Sequence, residues 1–331
     1  MSNFNFKKME GADRELKLVP LDSELWEVYR GAYGNVAYDV KLLTGEEKEF
    51  DDWDMALVER RQSRQGKEED MEDTEKIALE NLMEGLCHQM TFYEGTYLAM
   101  PYLVQILEKK QEEDDVEGQI AFIGHMGFLV ATDVPDTPYR DIAESEADSE
   151  IMENYHLSIL KLQEITKNFL EKHLEEIKQK KDDFYYQKDM FFDSVFAILS
   201  SDRKAAFSFS MSNNHECFYG ICPSCGDCNE AMEIDIENES DIEYLDSCIT
   251  PAPSVLGKWD KTSFEDDYVW FSNLLAMAEA DKFLKILPYY YGTYKCSECG
   301  KEILMMDFMK NYYFEEENAV YENEEGEEEI E

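Results

Sequence analysis

A chain of 331 residues with 44% hydrophobic and 13% aromatic residues is long enough to bury cores for two domains, and it carries 75 acidic against 31 basic residues, a formal charge of −44. Ten of the acids lie in a tail after Tyr313 that has no Lys or Arg, which leaves −34 on the rest of the chain. That balance repels phosphates and argues against direct nucleic-acid binding, and no run approaches the eighteen or more apolar residues of a membrane span, so a soluble protein is expected.

The first helix is expected at Ser23-Glu24-Leu25-Trp26-Glu27-Val28-Tyr29, where Ser23 can cap and Glu24 suits a helix start, and Gly31 and Gly34 break it. A short segment through Val40, Leu42 and Leu43 ends at Thr44-Gly45, and Asp51-Asp52-Trp53-Asp54 opens another helix toward Arg60. Residues 61–75 are almost wholly polar and read as a solvated stretch. From Thr74, Ile77, Ala78, Leu82 and Leu86 share one helical face, ending near His88-Gln89. Thr91-Phe92-Tyr93-Glu94 has the spacing of a capping box, and Tyr93, Tyr97, Met100, Val104 and Leu107 recur behind it, so two helices are expected side by side as a hairpin. Further helices are expected over 118–132, where Gly124 and Gly127 imply close packing or a break, and over 151–181 and 182–200. In the second of these, Tyr155, Ile159, Leu162, Ile165, Phe169 and Leu174 form a core stripe. Hairpin-sized units of about 40 residues fit a degenerate helical solenoid.

After Ser201 the texture changes. Phe207-Ser208-Phe209-Ser210-Met211 alternates with period two, as do Met232, Ile234 and Ile236, so both are expected as strands. Thr262-Ser263-Phe264-Glu265 has capping-box spacing before a helix through Tyr268, Phe271, Leu274 and Leu275. Leu287-Pro288-Tyr289-Tyr290-Tyr291-Gly292 then reads as a connector, and Ile303-Leu304-Met305-Met306 as a closing strand.

Around that helix lie Cys222-Pro223-Ser224-Cys225-Gly226 and Cys296-Ser297-Glu298-Cys299-Gly300. Each Cys-x-x-Cys presents two thiolates from one loop, and two such loops satisfy a tetrahedral Zn²⁺ ion. The glycine after each pair supplies the positive φ that so tight a turn needs. Cys222, Cys225, Cys296 and Cys299 are therefore the expected ligands of a structural zinc, with no open coordination position for catalysis. Cys228, His215 and Cys217 lie close enough in sequence to replace one of them. Redox dithiols usually open a helix in a βαβ setting, and neither pair precedes a helical pattern. Disulfides belong to secreted chains, whereas this sequence starts Met1-Ser2-Asn3-Phe4-Asn5 without an apolar leader, so a cytoplasmic location is expected. His88 at a helix end is read as a structural residue that bonds a carbonyl or favours the dipole, and Cys87 beside it is poorly placed for mutual hydrogen bonding.

The run Leu86-Cys87-His88-Gln89-x-Thr91-x-Tyr93-x-x-Thr96-x-x-Ala99-x-Pro101-x-Leu103 resembles a family of bacterial HEAT-like helical repeat proteins, and the zinc ribbon with its inserted helix resembles a C-terminal module on some of them. The helical pattern and the cysteine pairs, with this resemblance beside them, give the expected layout of a mainly α chain: a HEAT-like repeat domain (α-solenoid) over 1–206, a small α+β zinc-ribbon module with an inserted helix over 207–312, and, from its charge, an acidic disordered tail over 313–331. The resemblance further implies an immunity role in toxin–antitoxin pairs. The acidic stretch from Asp133 to Glu150 departs from the family pattern. The sequence holds no phosphate loop, dinucleotide fingerprint, nucleophile elbow or zincin motif, so a non-enzymatic interaction protein is expected. Its expected partner is a basic protein, in particular a co-encoded toxin, and the alternatives are an acidic nucleic-acid mimic or regulator and, second, an enzyme of unknown type.

Overall fold

A computed structural model of the chain describes residues 14–65, 74–134, 148–181, 187–233, 239–257 and 266–314. Ser23 caps as its hydroxyl allows, accepting from Leu25 N–H at 3.2 Å, but the element it starts is a single 3₁₀ turn, Glu24–Glu27. The chain then runs through α1 (Ala37–Thr44), α2 (Asp52–Gln65) and α3 (Thr74–Leu86). Gly45 ends α1 in the left-handed region at φ 75°, the usual helix stop. Ile77, Ala78, Leu82 and Leu86 of α3 are all buried, as their spacing predicts.

The connection to the next helix differs from expectation. Thr91 does not cap a helix: β1 (Cys87–His88) and β2 (Thr91–Phe92) pair as a minimal antiparallel hairpin, His88 opposite Thr91, and α4 (Gly95–Glu112) starts from Glu94 with no side-chain cap. The hairpin turn is Gln89-Met90, with φ 51° and 64°. Two consecutive positive φ values define the primed turn that matches strand twist and that ordinarily demands Asn-Gly. Threonine and glutamate three apart fit that geometry as well as a capping box. The intervening β-turn also separates the helices: α3 packs chiefly on α1 and α2, and α4 on α5 (Val116–Thr132) and α6 (Ser149–Gln179).

Tyr155, Ile159, Leu162, Ile165, Phe169 and Leu174 of α6 form the buried stripe that the sequence predicts, behind an Asp148 cap whose Oδ1 accepts from Glu150 and Ile151 N–H. α7 (Lys188–Leu199) packs most extensively on α5. Glycine makes that possible, since a Cβ at Gly127 would stand 2.4 Å from Ser194, whose hydroxyl donates to Gly124 O at 2.7 Å.

The alternating segment 207–211 is helical, within α8 (Arg203–His215). Its phenylalanines and its serines are all buried, and a helix surrounded on all sides has no polar face to set a 3.6-residue period. The serines are satisfied internally: Ser208 Oγ donates to Lys204 O at 2.8 Å, and Ser210 Oγ lies 2.8 and 2.9 Å from the two oxygens of Asp193.

Beyond α8 come β3 (Cys217–Ile221), β4 (Asn229–Glu233), α9 (Glu239–Cys248), β5 (Ile249–Thr250), α10 (Asp267–Met277), α11 (Asp281–Tyr290), β6 (Thr293–Lys295), β7 (Glu302–Leu304) and α12 (Met305–Phe314). The expected connector at Leu287–Tyr290 is thus the end of α11, with Pro288 inside the helix. The expected closing strand stops at Leu304, and Met305-Met306 begin α12, where both are buried. Met232 lies in β4 as expected, while Ile234 and Ile236, the Thr262–Glu265 capping box, the tail after Phe314 and most of the acidic stretch before Glu150 lie outside the described residues. α10 is capped instead by Asp266, whose Oδ1 accepts from Val269 N–H at 3.1 Å.

Two compact units result: Met1–Ser210 with Ser254–Leu287, and Met211–Pro253 with Pro288–Glu331. The helix expected as an insertion in the ribbon module therefore belongs with the helical unit. There Trp270 and Phe271 pack on Phe196, with ring centroids 5.9 and 4.8 Å away. Sheets are small and antiparallel: β3 with β4, and β5-β6-β7 with β6 in the middle.

Two predictions follow from this packing. Burial pushes the Asp193 carboxyl from its ordinary 3.8 up to about 7, against the smaller opposing effect of Ser210. A raised folded-state value means that the site costs nothing below about pH 4, and that stability falls as pH rises toward 7 and then stays level. Asp193→Asn should remove that decline and be more stable by roughly 1–4 kcal/mol at pH 8, with little difference at pH 4.5. Urea unfolding at both pH values checks it, and parallel pH profiles for the two proteins would contradict it. In the hairpin, Gln89 is exposed. Gln89→Gly should therefore raise stability by about 0.5–1 kcal/mol and Gln89→Val lower it by a similar amount. Equal thermal midpoints would count against the strained turn.

Candidate metal centre

The second unit is built from two hairpins whose tips face each other. In the first, β3 and β4 pair with Ile221 opposite Asn229, so residues 222–228 form the tip. In the second, Lys295 pairs with Glu302 across a tip of residues 296–301. The tips have the same internal bonding. Cys222 N–H donates to Cys228 O and Cys296 N–H to Lys301 O, both at 2.9 Å. Gly226 N–H returns to Cys222 O at 2.9 Å and Gly300 N–H to Cys296 O at 3.0 Å. Both glycines are left-handed, at φ 72° and 69°, and nothing lies within 4 Å of where a Cβ would stand. Backbone conformation, not crowding, is what requires glycine there.

The four expected cysteines converge. Their sulfurs all lie within 4.8 Å of one another, and among the described residues they are the cluster of His, Cys, Asp and Glu side chains placed to hold a metal. The Sγ atoms of Cys222 and Cys299 are 3.8 Å apart, as are those of Cys225 and Cys296. A metal–sulfur bond of about 2.3 Å in a regular tetrahedron sets an edge of about 3.8 Å, whereas a disulfide would bring two sulfurs to about 2.0 Å. The residues therefore fit a tetrahedral four-thiolate ion, a donor set suited to zinc or iron. Cys222 and Cys296 are buried, Cys225 is half-buried and Cys299 is exposed. Backbone N–H groups of Cys228 and then Asp227 hold the Cys225 thiol down to about 7, whereas burial pushes the Cys296 thiol up and that of Cys299 is also raised, so the thiols differ in how readily they ionise before a metal binds.

The rival ligands separate from this cage. Cys228 is the counterpart of Lys301 in the tip, and its sulfur faces Tyr294 OH at 3.4 Å and Ser297 Oγ and Glu230 Oε1 at 3.5 Å. Cys217 is buried five residues upstream in β3, where burial pushes its thiol up. The side chain of His215 lies outside the described residues. The group around Cys228 was missed by sequence reasoning, since its members come from two hairpins and carry no common spacing.

Cys87 and His88 part company. Cys87 is bonded to Thr132 through its sulfur at 3.6 Å, and burial pushes its thiol up to about 11, so it stays protonated at neutral pH. The His88 ring lies the other way, with Nδ1 2.8 Å from Tyr33 OH and 3.1 Å from Glu84 Oε1. That arrangement joins α3 to the Gly31–Gly34 turn, where Ala32 N–H donates to Gly85 O at 2.7 Å.

Comparison with protein-family models, curated proteins and solved structures gives no match. No described helix is long and apolar enough to cross a membrane.

Protein purified in reducing buffer without added metal should carry about one tightly bound metal ion per chain, as a closed four-thiolate site retains its metal. Cys296→Ser with Cys299→Ser should abolish it, because two thiolates alone leave half the coordination shell to water. Elemental analysis decides both points, and full metal content in the double variant would reject these ligands.

Proposed function

We propose that the chain is a non-catalytic interaction protein whose acidic helical body binds a basic protein domain, with a structural zinc at Cys222, Cys225, Cys296 and Cys299 stabilising the smaller unit. The observation that carries the reading is charge: −44 over 331 residues, of which −34 lies outside the tail after Tyr313. Charge of that size steers an oppositely charged partner and raises its rate of encounter. Two further features support it. In the first unit α4 through α7 pack mainly on helices one or two places away in the chain, the order of a helical-repeat body, whose usual use is to display a surface to other proteins. The four-thiolate cage has no open position for water, which suits a zinc that holds structure and does no chemistry.

The specific form we propose is a HEAT-like immunity protein that covers the active surface of a co-encoded toxin and works in the cytoplasm. It draws on the resemblance carried by the Leu86–Leu103 motif. A toxin acting on nucleic acid is basic where it meets phosphate, and an acidic inhibitor is complementary to that face.

Affinity purification from the native host should recover a basic chain. Association should slow several-fold as salt rises from about 50 to 500 mM, where the Debye length falls from roughly 14 to 4 Å, while dissociation changes less. Deleting the residues after Tyr313 should leave most of the affinity. Salt-independent association, or no protection of cells expressing the neighbouring gene product, would reject the proposal.

A further inference from the structure

The two hairpin tips are tied together by side chains that lie beside the sulfur cage and are not part of it. Ser297, directly after Cys296 in the second tip, donates to Glu230 Oε1 of β4 at 2.7 Å. Cys228 leaves the first tip and stands 3.5 Å from the same carboxylate oxygen, 3.5 Å from Ser297 Oγ and 3.4 Å from Tyr294 OH of β6. Cys228 and Tyr294 are 2% and 1% exposed, so their contact is shielded from water, whereas Ser297 is exposed and Glu230 half-buried, so the bond between those two lies at the surface. The buried pair favours one geometry, because separating the hairpins would leave the Cys228 thiol and the Tyr294 hydroxyl without each other, and the Ser297–Glu230 bond adds a tie at the surface.

A second tie is apolar. Phe308 of α12 packs against β3 at Gly220, where a Cβ would fall within 2.0 Å of its ring, and it packs on Tyr294 with centroids 4.7 Å apart. Asn311, one turn further along α12, donates to Ile221 O at 3.2 Å, one residue before Cys222. Phe218 and Tyr290 meet edge to face at 4.6 Å in the same core. Both hairpins are thus seated on one helix.

We propose that the cage is preorganised: Ser297, Glu230, Cys228 and Tyr294 are positioning residues that hold the two tips at metal-binding separation, and the folded unit takes up and releases a divalent metal without unfolding. This rests on the reading of the four cysteines as a metal site. It departs from the behaviour of the smallest zinc modules, in which the ion supplies the folding free energy and the metal-free chain is unfolded. The exposed Cys299 and half-buried Cys225 give the metal a route in, while the buried Cys222 and Cys296 form the floor. Residues that orient ligands without touching the metal typically change its affinity 10–100-fold.

The test uses the full chain, reduced, stripped by chelator and titrated anaerobically with Co²⁺. The metal-free protein should keep its near-UV circular dichroism and the amide protection of β3, β4, β6 and β7, and Co²⁺ should give thiolate charge-transfer and tetrahedral d–d absorption. Ser297→Ala and Glu230→Gln should each bind Co²⁺ about 10–100-fold more weakly with the same spectrum, and Ser297→Thr, which keeps the hydroxyl, should restore affinity. Loss of near-UV signal and of amide protection in those hairpins on metal removal would overturn preorganisation, as would wild-type affinity in both Ser297→Ala and Glu230→Gln. No thiolate–cobalt absorption from the wild-type chain would instead overturn the metal site itself.

Discussion

Four sulfurs confined within 4.8 Å of one another set the terms for the smaller unit. Thiolates that close repel, and their backbones cannot approach further without the tips curling back on themselves. Each tip solves this in the same way, with a glycine in the left-handed region and a return bond from its N–H to the first cysteine carbonyl. The strands behind the tips are only three or five residues long, too short for a stable sheet alone. Helix α12 supplies the missing core, placing Met305, Phe308 and Met309 under both hairpins.

The larger unit rests on a different constraint, the satisfaction of polar groups inside helices that are buried on every side. Ser208 bonds back along its own helix, Ser194 reaches the α5 backbone, and Ser210 meets the Asp193 carboxylate. These three hydroxyls permit close helix approach and are each bonded, whereas the buried hydroxyls of Thr96 and Thr166 have no hydrogen-bond partner among the described residues. At Asp193 the arrangement has a cost, because a single hydroxyl replaces the water that a carboxylate would otherwise have.

Where chemistry demands a local spacing, the sequence is readable. The cysteine pairs announce their partners because a tight tip around a metal needs two thiols and a glycine within five residues. The stripe of α6 is equally plain, since one face is apolar and the other charged. Elsewhere the local pattern has two solutions. Phe207 to Met211 alternates like a strand, yet forms a helix because its serines are bonded internally. Thr91 and Glu94 are spaced like a capping box, yet Thr91 is needed for a strand opposite His88. Helix α12 begins directly from a strand at Met305 with no capping residue to announce it. Ser297 and Glu230 are 67 residues apart, and only the folded hairpins reveal them as partners.

The segment Ser254–Leu287 belongs to the first unit yet lies in the chain between the two cysteine pairs. On the ribosome, Cys222 and Cys225 therefore emerge before the aromatic core around Phe196 has received Trp270 and Phe271. They then wait through 71 further residues, counted from Cys225 to Cys296, for the other half of their site. The helical unit has all its residues first, and the cage closes last. A chain truncated between Leu287 and Cys296 would hold every segment of the helical unit and only two of the four sulfurs, an open half-site with two thiols and no metal partner.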